Sequence, residues 1–100
     1  MGKKLQGNQA LYKKALFLSA KRALKENEII LRNFVQDAAI YYDDVKLQNY
    51  ITLIDKYDDL TLYDMLTNCS AVKEISDELH EIVKDINKFI NTSFKQQKYS

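Results

Sequence analysis

The sequence predicts an all-α fold, a small five-helix bundle forming a single domain, and three observations lead there. The chain has 100 residues, 46% hydrophobic and 29% charged, which is one domain's worth of ordinary globular composition. Its glycines are Gly2 and Gly7 and it has no proline, so neither strong helix breaker occurs from Asn8 to Ser100. Strands need turns, and the usual turn chemistry is nearly absent. Apolar residues instead recur at helical spacing, most clearly toward the C-terminus.

Taken in order, residues 1–8 read as a flexible N-terminus, 9–95 as the helical bundle and 96–100 as a frayed C-terminus. A first helix runs from about Gln9 to Arg22 or beyond, with Leu11, Ala15, Leu18 and Arg22 along one line and Tyr12, Leu16 and Ala20 beside it. A second, about Lys25 to Ala39, puts Ile30, Leu31, Phe34, Val35 and Ala38 on one side. Between them lies the highly charged run 21–28. Asp43-Asp44 is an N-cap pair for a third helix carrying Val45, Tyr50, Leu53, Ile54 and Tyr57. Asp58-Asp59 caps a short fourth helix through Leu62, Tyr63 and Leu66, and Ser70 is the expected cap of the fifth. In that last helix Val72, Ile75, Leu79, Ile82, Ile86 and Phe89 alternate spacings of three and four, a stripe that packs on the domain's own core.

Charge is unevenly spread. Residues 1–34 hold eight Lys/Arg against Glu26 and Glu28, whereas 35–68 hold seven Asp against Lys46 and Lys56. Such a dipole suits oriented docking, although solvated helix faces explain it too. Five of the seven tyrosines (Tyr41, Tyr42, Tyr50, Tyr57 and Tyr63) fall in the acidic half, two or three of them expected in the core. Cys69 is the single cysteine, so no intrachain disulfide forms; it reads as a small apolar filler. No apolar run is long enough to span a bilayer and no secretory signal is visible, so the expectation is a cytoplasmic chain without membrane insertion.

Residue patterns that carry chemistry are few. His80 is the lone histidine, on the edge of the last stripe, and reads as a boundary residue. The paired aspartates point apart on a helix, and capping explains both. GxSxG, P-loop, GxGxxG, HExxH and CxxC patterns do not occur. A chain this short buries only about two-thirds of its unfolded surface. The thin core and the missing signatures argue against an enzyme and against a metal site. Lys13, Lys14, Lys21, Arg22 and Lys25, near Tyr12 and Phe17, could touch nucleic acid, but the set is modest beside the usual basic density of such surfaces, and the acidic middle would repel phosphate.

The segment Lys21-Arg22-Ala23-Leu24-Lys25-Glu26-Asn27-Glu28 resembles the RGxxE-type signature of the SdhE family of small FAD assembly factors. In that signature an Arg-Gly pair precedes a Glu, an acidic residue, an apolar run and a Phe. Here these are Arg22, Ala23, Glu26, Glu28, Ile29-Ile30-Leu31 and Phe34. Tyr50-Ile51-Thr52-Leu53-Ile54-Asp55 and the segment from Asp58 to Leu66 continue the likeness, which covers about 11–67. Two positions depart: Ala23 replaces the glycine, and Met65 the tryptophan, with the neighbouring proline also missing. Met65 keeps an apolar anchor. The Ala23 methyl obstructs close approach or a positive φ, which implies a different partner surface or an altered activity.

The resemblance implies an assembly chaperone that binds the flavoprotein subunit of succinate dehydrogenase or fumarate reductase and promotes covalent FAD attachment. FAD would be the partner's cofactor, with none held stably by this chain, which would act as a monomer. If the source is eukaryotic, its place would be the mitochondrial matrix. Arg22 would donate to a partner carboxylate or carbonyl and Glu26 would accept, flanked by Lys25 and Glu28, with Ala23 at the contact. An ordinary i,i+4 surface pair between Arg22 and Glu26 is the plainer alternative. An antitoxin-like regulatory binder and a nucleic-acid module are the other functional readings.

Overall fold

The computed structural model describes residues 9–68 and 75–94, and among them are five α-helices and no strand. They are α1 (Gln9–Ala20), α2 (Lys25–Ala38), α3 (Asp44–Lys56), α4 (Asp59–Thr67) and α5 (Asp77–Phe89), the last running into a π-helical turn, Ile90–Phe94. The expected termini, 1–8 and 96–100, lie outside the described residues, as do Cys69, Ser70 and Val72.

Each helix forms where its apolar spacing fits one core-facing stripe. α2 buries Ile30, Leu31, Phe34, Val35 and Ala38; α3 buries Leu47, Tyr50, Ile51, Leu53 and Ile54. α4 contributes Leu62, Met65 and Leu66, and α5 contributes Leu79, Ile82, Val83 and Ile86. Met65 thus holds the buried place expected of it. α1 packs on α2 and α3, α3 on α5, and α4 bridges α5 and α2. At the centre the Phe34 ring meets Tyr50 at 5.9 Å, Tyr42 at 5.8 Å and Phe89 at 5.6 Å, the last two edge-on, an arrangement aromatic quadrupoles favour.

Side-chain caps start three of the helices. Asp43, Asp58 and Ser76 each accept from the backbone N–H three residues on: Lys46 (2.9 Å), Thr61 (3.2 Å) and Leu79 (3.3 Å). The Asn87 amide of α5 donates to the Leu66 carbonyl at 2.7 Å, satisfying an end carbonyl of α4 and fastening the two helices together.

Four expectations need correction. α1 ends at Ala20, so Arg22 is not on its apolar line; Ser19 takes the next buried place after Ala15. Val45 is 66% exposed, because the α3 stripe begins at Leu47. α5 starts at Asp77 behind a Ser76 cap, so Ile75 precedes the helix. Asp59 is not a cap: Asp58 fills that role alone, leaving the Asp59 carboxylate for another task.

Candidate functional site

The charged run between α1 and α2 is a tight junction, and Asp59 at the start of α4 organises it. Leu24, at the N-cap position of α2, has no side chain able to cap, so the amides entering the helix need an outside acceptor. The Asp59 carboxylate supplies it. One oxygen accepts from Leu24 N–H at 3.0 Å and from Ala23 N–H. The other meets the Arg22 guanidinium at 3.3 Å and the Asn27 amide at 3.4 Å. Asn27, fully buried, also donates to the Asp59 carbonyl at 2.9 Å.

Arg22 completes the clamp. Its Nη1 donates to the Ile54 carbonyl at 3.0 Å and its Nε to the Lys21 carbonyl at 3.2 Å. Ile54 lies in the last turn of α3, where carbonyls lack intrahelical partners. One guanidinium therefore closes the end of α3 while neutralising Asp59 at the start of α4. The α1–α2 and α3–α4 turns are locked together, and the pair is only 15% and 12% exposed.

Electrostatics follow this geometry. Burial acts to raise the Asp59 carboxyl, but the Leu24 and Ala23 N–H groups, the Asn27 amide and the Arg22 charge outweigh it and hold it below its ordinary value. Beneath the clamp, burial pushes the Tyr50 hydroxyl well up, against the opposing effects of its Ser19 hydrogen bond and the Arg22 charge. Tyr50 and Ser19 hydroxyls lie 2.5 Å apart, and Ser19 donates to the Ala15 carbonyl at 2.7 Å. A polar thread thus runs from α1 through the core toward the junction.

The residues singled out from the sequence separate into two groups. Ala23, Lys25 and Glu26 are exposed on the outer edge of the junction. Arg22 faces inward to Asp59, while Glu28 pairs with Arg32 at 3.2 Å. Arg22 lies outside any helix, so its salt bridge is to Asp59 across the fold and not the i,i+4 pair with Glu26. Every non-glycine φ among the described residues is negative, so Ala23 needs no glycine-like backbone. Its methyl lies on the exposed side of the junction.

Sequence reasoning missed Asp59, Asn27 and Ser19. Asn27 and Ser19 each stand one turn from buried apolar residues on their own helix, Leu31 and Ala15. A polar residue in line with an apolar stripe was the available signal. His80 sits half-buried on α5. No group of three or more His, Cys, Asp or Glu among the described residues could hold a metal, and no helix there is long and apolar enough to cross a membrane.

Comparison with known proteins places this chain in a family. Neither the curated proteins nor the solved structures yield a match. The family model Sdh5, described as flavinator of succinate dehydrogenase, matches residues 13–90. That span runs from α1 to the end of α5 and includes both turns of the clamp. The chain belongs to the Sdh5 family, the flavinators of succinate dehydrogenase, also called the SdhE family of FAD assembly factors.

Proposed function

We propose that this chain binds the flavoprotein subunit of succinate dehydrogenase, or of fumarate reductase, and promotes covalent attachment of FAD to it. The observation that carries the reading is the family match across all five helices. The docking edge is Ala23, Lys25 and Glu26, with Glu28 and Arg22 behind it. The clamp supports this role. Ordering a loose loop on binding costs about 1–2 kcal/mol per residue, and a junction already fixed by Asp59 avoids most of that.

The bond-forming chemistry belongs to the flavin and its host protein. This chain's contribution is to hold the host where a nucleophilic side chain lies against the flavin ring, which lowers the barrier by positioning alone. No acid, base or nucleophile from the helper is required. The chain acts as a monomer, in the cytoplasm or, in a eukaryote, the mitochondrial matrix.

Co-expression with the flavoprotein subunit tests this, scored by in-gel flavin fluorescence after denaturation. The chain raises covalent flavin and co-purifies with the subunit, and Glu26→Ala, at an exposed site, lowers both without changing the melting temperature. Covalent flavin indifferent to the chain, with a toxin or another protein co-purifying in its place, would favour the antitoxin-like reading.

A further inference from the structure

The far end of α2 carries a groove that the docking edge does not use. With about 1.5 Å of rise per residue, Asp37 lies roughly 18 Å along the helix from Lys25. The groove is open to solvent and has a volume of about 360 Å³. One wall is the end of α2 and its following turn, with Asp37 and Tyr41; the other is the end of α5 and the π-helical turn, with Asp85, Lys88, Phe89 and Thr92.

Several of these groups are held in place before any ligand arrives. Asp85 accepts from the Tyr42 hydroxyl at 2.7 Å. The Tyr41 ring is 60% exposed yet set edge-on to Tyr42 at 5.4 Å, and Phe89 is set edge-on to Phe34. Burial raises the Tyr41 hydroxyl above its ordinary value, and the charges of Asp37 and Asp85 raise it further. Asp37 and Asp85 line the groove from its two opposite walls. The resident cations are exposed Lys88 and Lys46, which lies over the Tyr42 ring at 5.2 Å and reaches Asp85 only at 4.0 Å; a partly exposed ion pair like Lys46–Asp85 contributes about 0–1 kcal/mol.

We infer that this groove is a second docking site, taking an arginine side chain of a partner protein. A planar guanidinium stacks on an aromatic face while its fork reaches carboxylates on either side, which an ammonium cannot do together. An apolar occupant would strip water from two carboxylates without replacing its hydrogen bonds. The site is independent of the flavinylation reading, and the two fail separately.

The probe is an acetyl-Gly-Arg-Gly-amide peptide titrated into the isotope-labelled full chain, followed by amide chemical shifts. Saturable shifts are expected at Tyr41, Phe89 and Thr92. Binding weakens about fivefold or more in Asp37→Asn and in Tyr41→Ala, roughly the loss of one charge-assisted or cation–π contact. Both positions are exposed, so melting temperatures stay within a few degrees of wild type. The matching lysine peptide binds at least about threefold more weakly. Absence of saturable shifts, equal affinity in the variants, or equal affinity for the lysine peptide overturns the proposal. So does the same shift pattern appearing without peptide as protein concentration rises, which would assign the groove to a second copy of the chain.

Discussion

Asp59 connects four residues of the α1–α2 junction through one carboxylate, and its neighbours were chosen by geometry that only the folded chain has. Replacing it with Asn keeps the shape but removes the charge facing Arg22 and turns one acceptor oxygen into a donor beside N–H groups. Asp59→Asn should destabilise the fold by about 1–3 kcal/mol in urea denaturation. The pH dependence has a definite sign. A carboxyl whose folded pKa lies below its unfolded value, about 3.9, adds stability that is complete above that value and disappears as pH falls through the folded one. Asp59 behaves this way, and Asp58 does too because the Thr61 hydroxyl and N–H both favour its charged form. Stability should therefore fall on acidification below about pH 5, and Asp59→Asn should flatten part of that slope, with the Asp58 share remaining. In the core, Tyr50→Phe removes a hydroxyl buried against Ser19 and should cost about 1 kcal/mol, read as a drop of roughly 4–8 °C in melting temperature. None of these partnerships was legible in the sequence. Asp59 lies 36 residues from Ala23, and a single sequence carries no sign of which aspartate of a pair will turn away from its own helix.

At the scale of elements much more could be read. Apolar spacing is a local property, so α2 and the C-terminal stripe of α5 fall where 3.6-residue periodicity puts them, as do the caps Asp43 and Asp58. Boundaries were harder where two signals competed. α1 stops at Ala20 although helix-favouring residues continue to Leu24, because Arg22 and the amides of Ala23 and Leu24 gain tertiary partners by leaving the helix. Val45 points outward since the α2–α3 turn sets the phase of α3 two residues later. Ser76, not an earlier serine, begins α5. Ser76→Ala should remove that cap and cost about 1 kcal/mol, with amide exchange accelerating first in the opening turn of α5. A uniform acceleration across all helices would show that the cap acts on the whole fold and not on its own element.

For the whole molecule, residues from α1, α2, α3 and α5 meet around Phe34 and Tyr50, and the two turns at one end are bound into a single edge by Arg22 and Asp59. The sequence pointed to this edge through Arg22, Ala23, Lys25, Glu26 and Glu28, but it assigned Arg22 outward. The fold turns that side chain inward, where it sets the backbone that presents Lys25 and Glu26. The docking role of this edge is testable in one reconstitution. Purified apo-flavoprotein subunit, FAD and this chain are incubated together, and covalent flavin is measured against time for wild type, Glu26→Ala and Lys25→Ala. Wild type is expected to accelerate attachment, and both variants, folded with wild-type melting temperatures, to lose most of the acceleration. Attachment at the same rate with and without the wild-type chain would contradict that role.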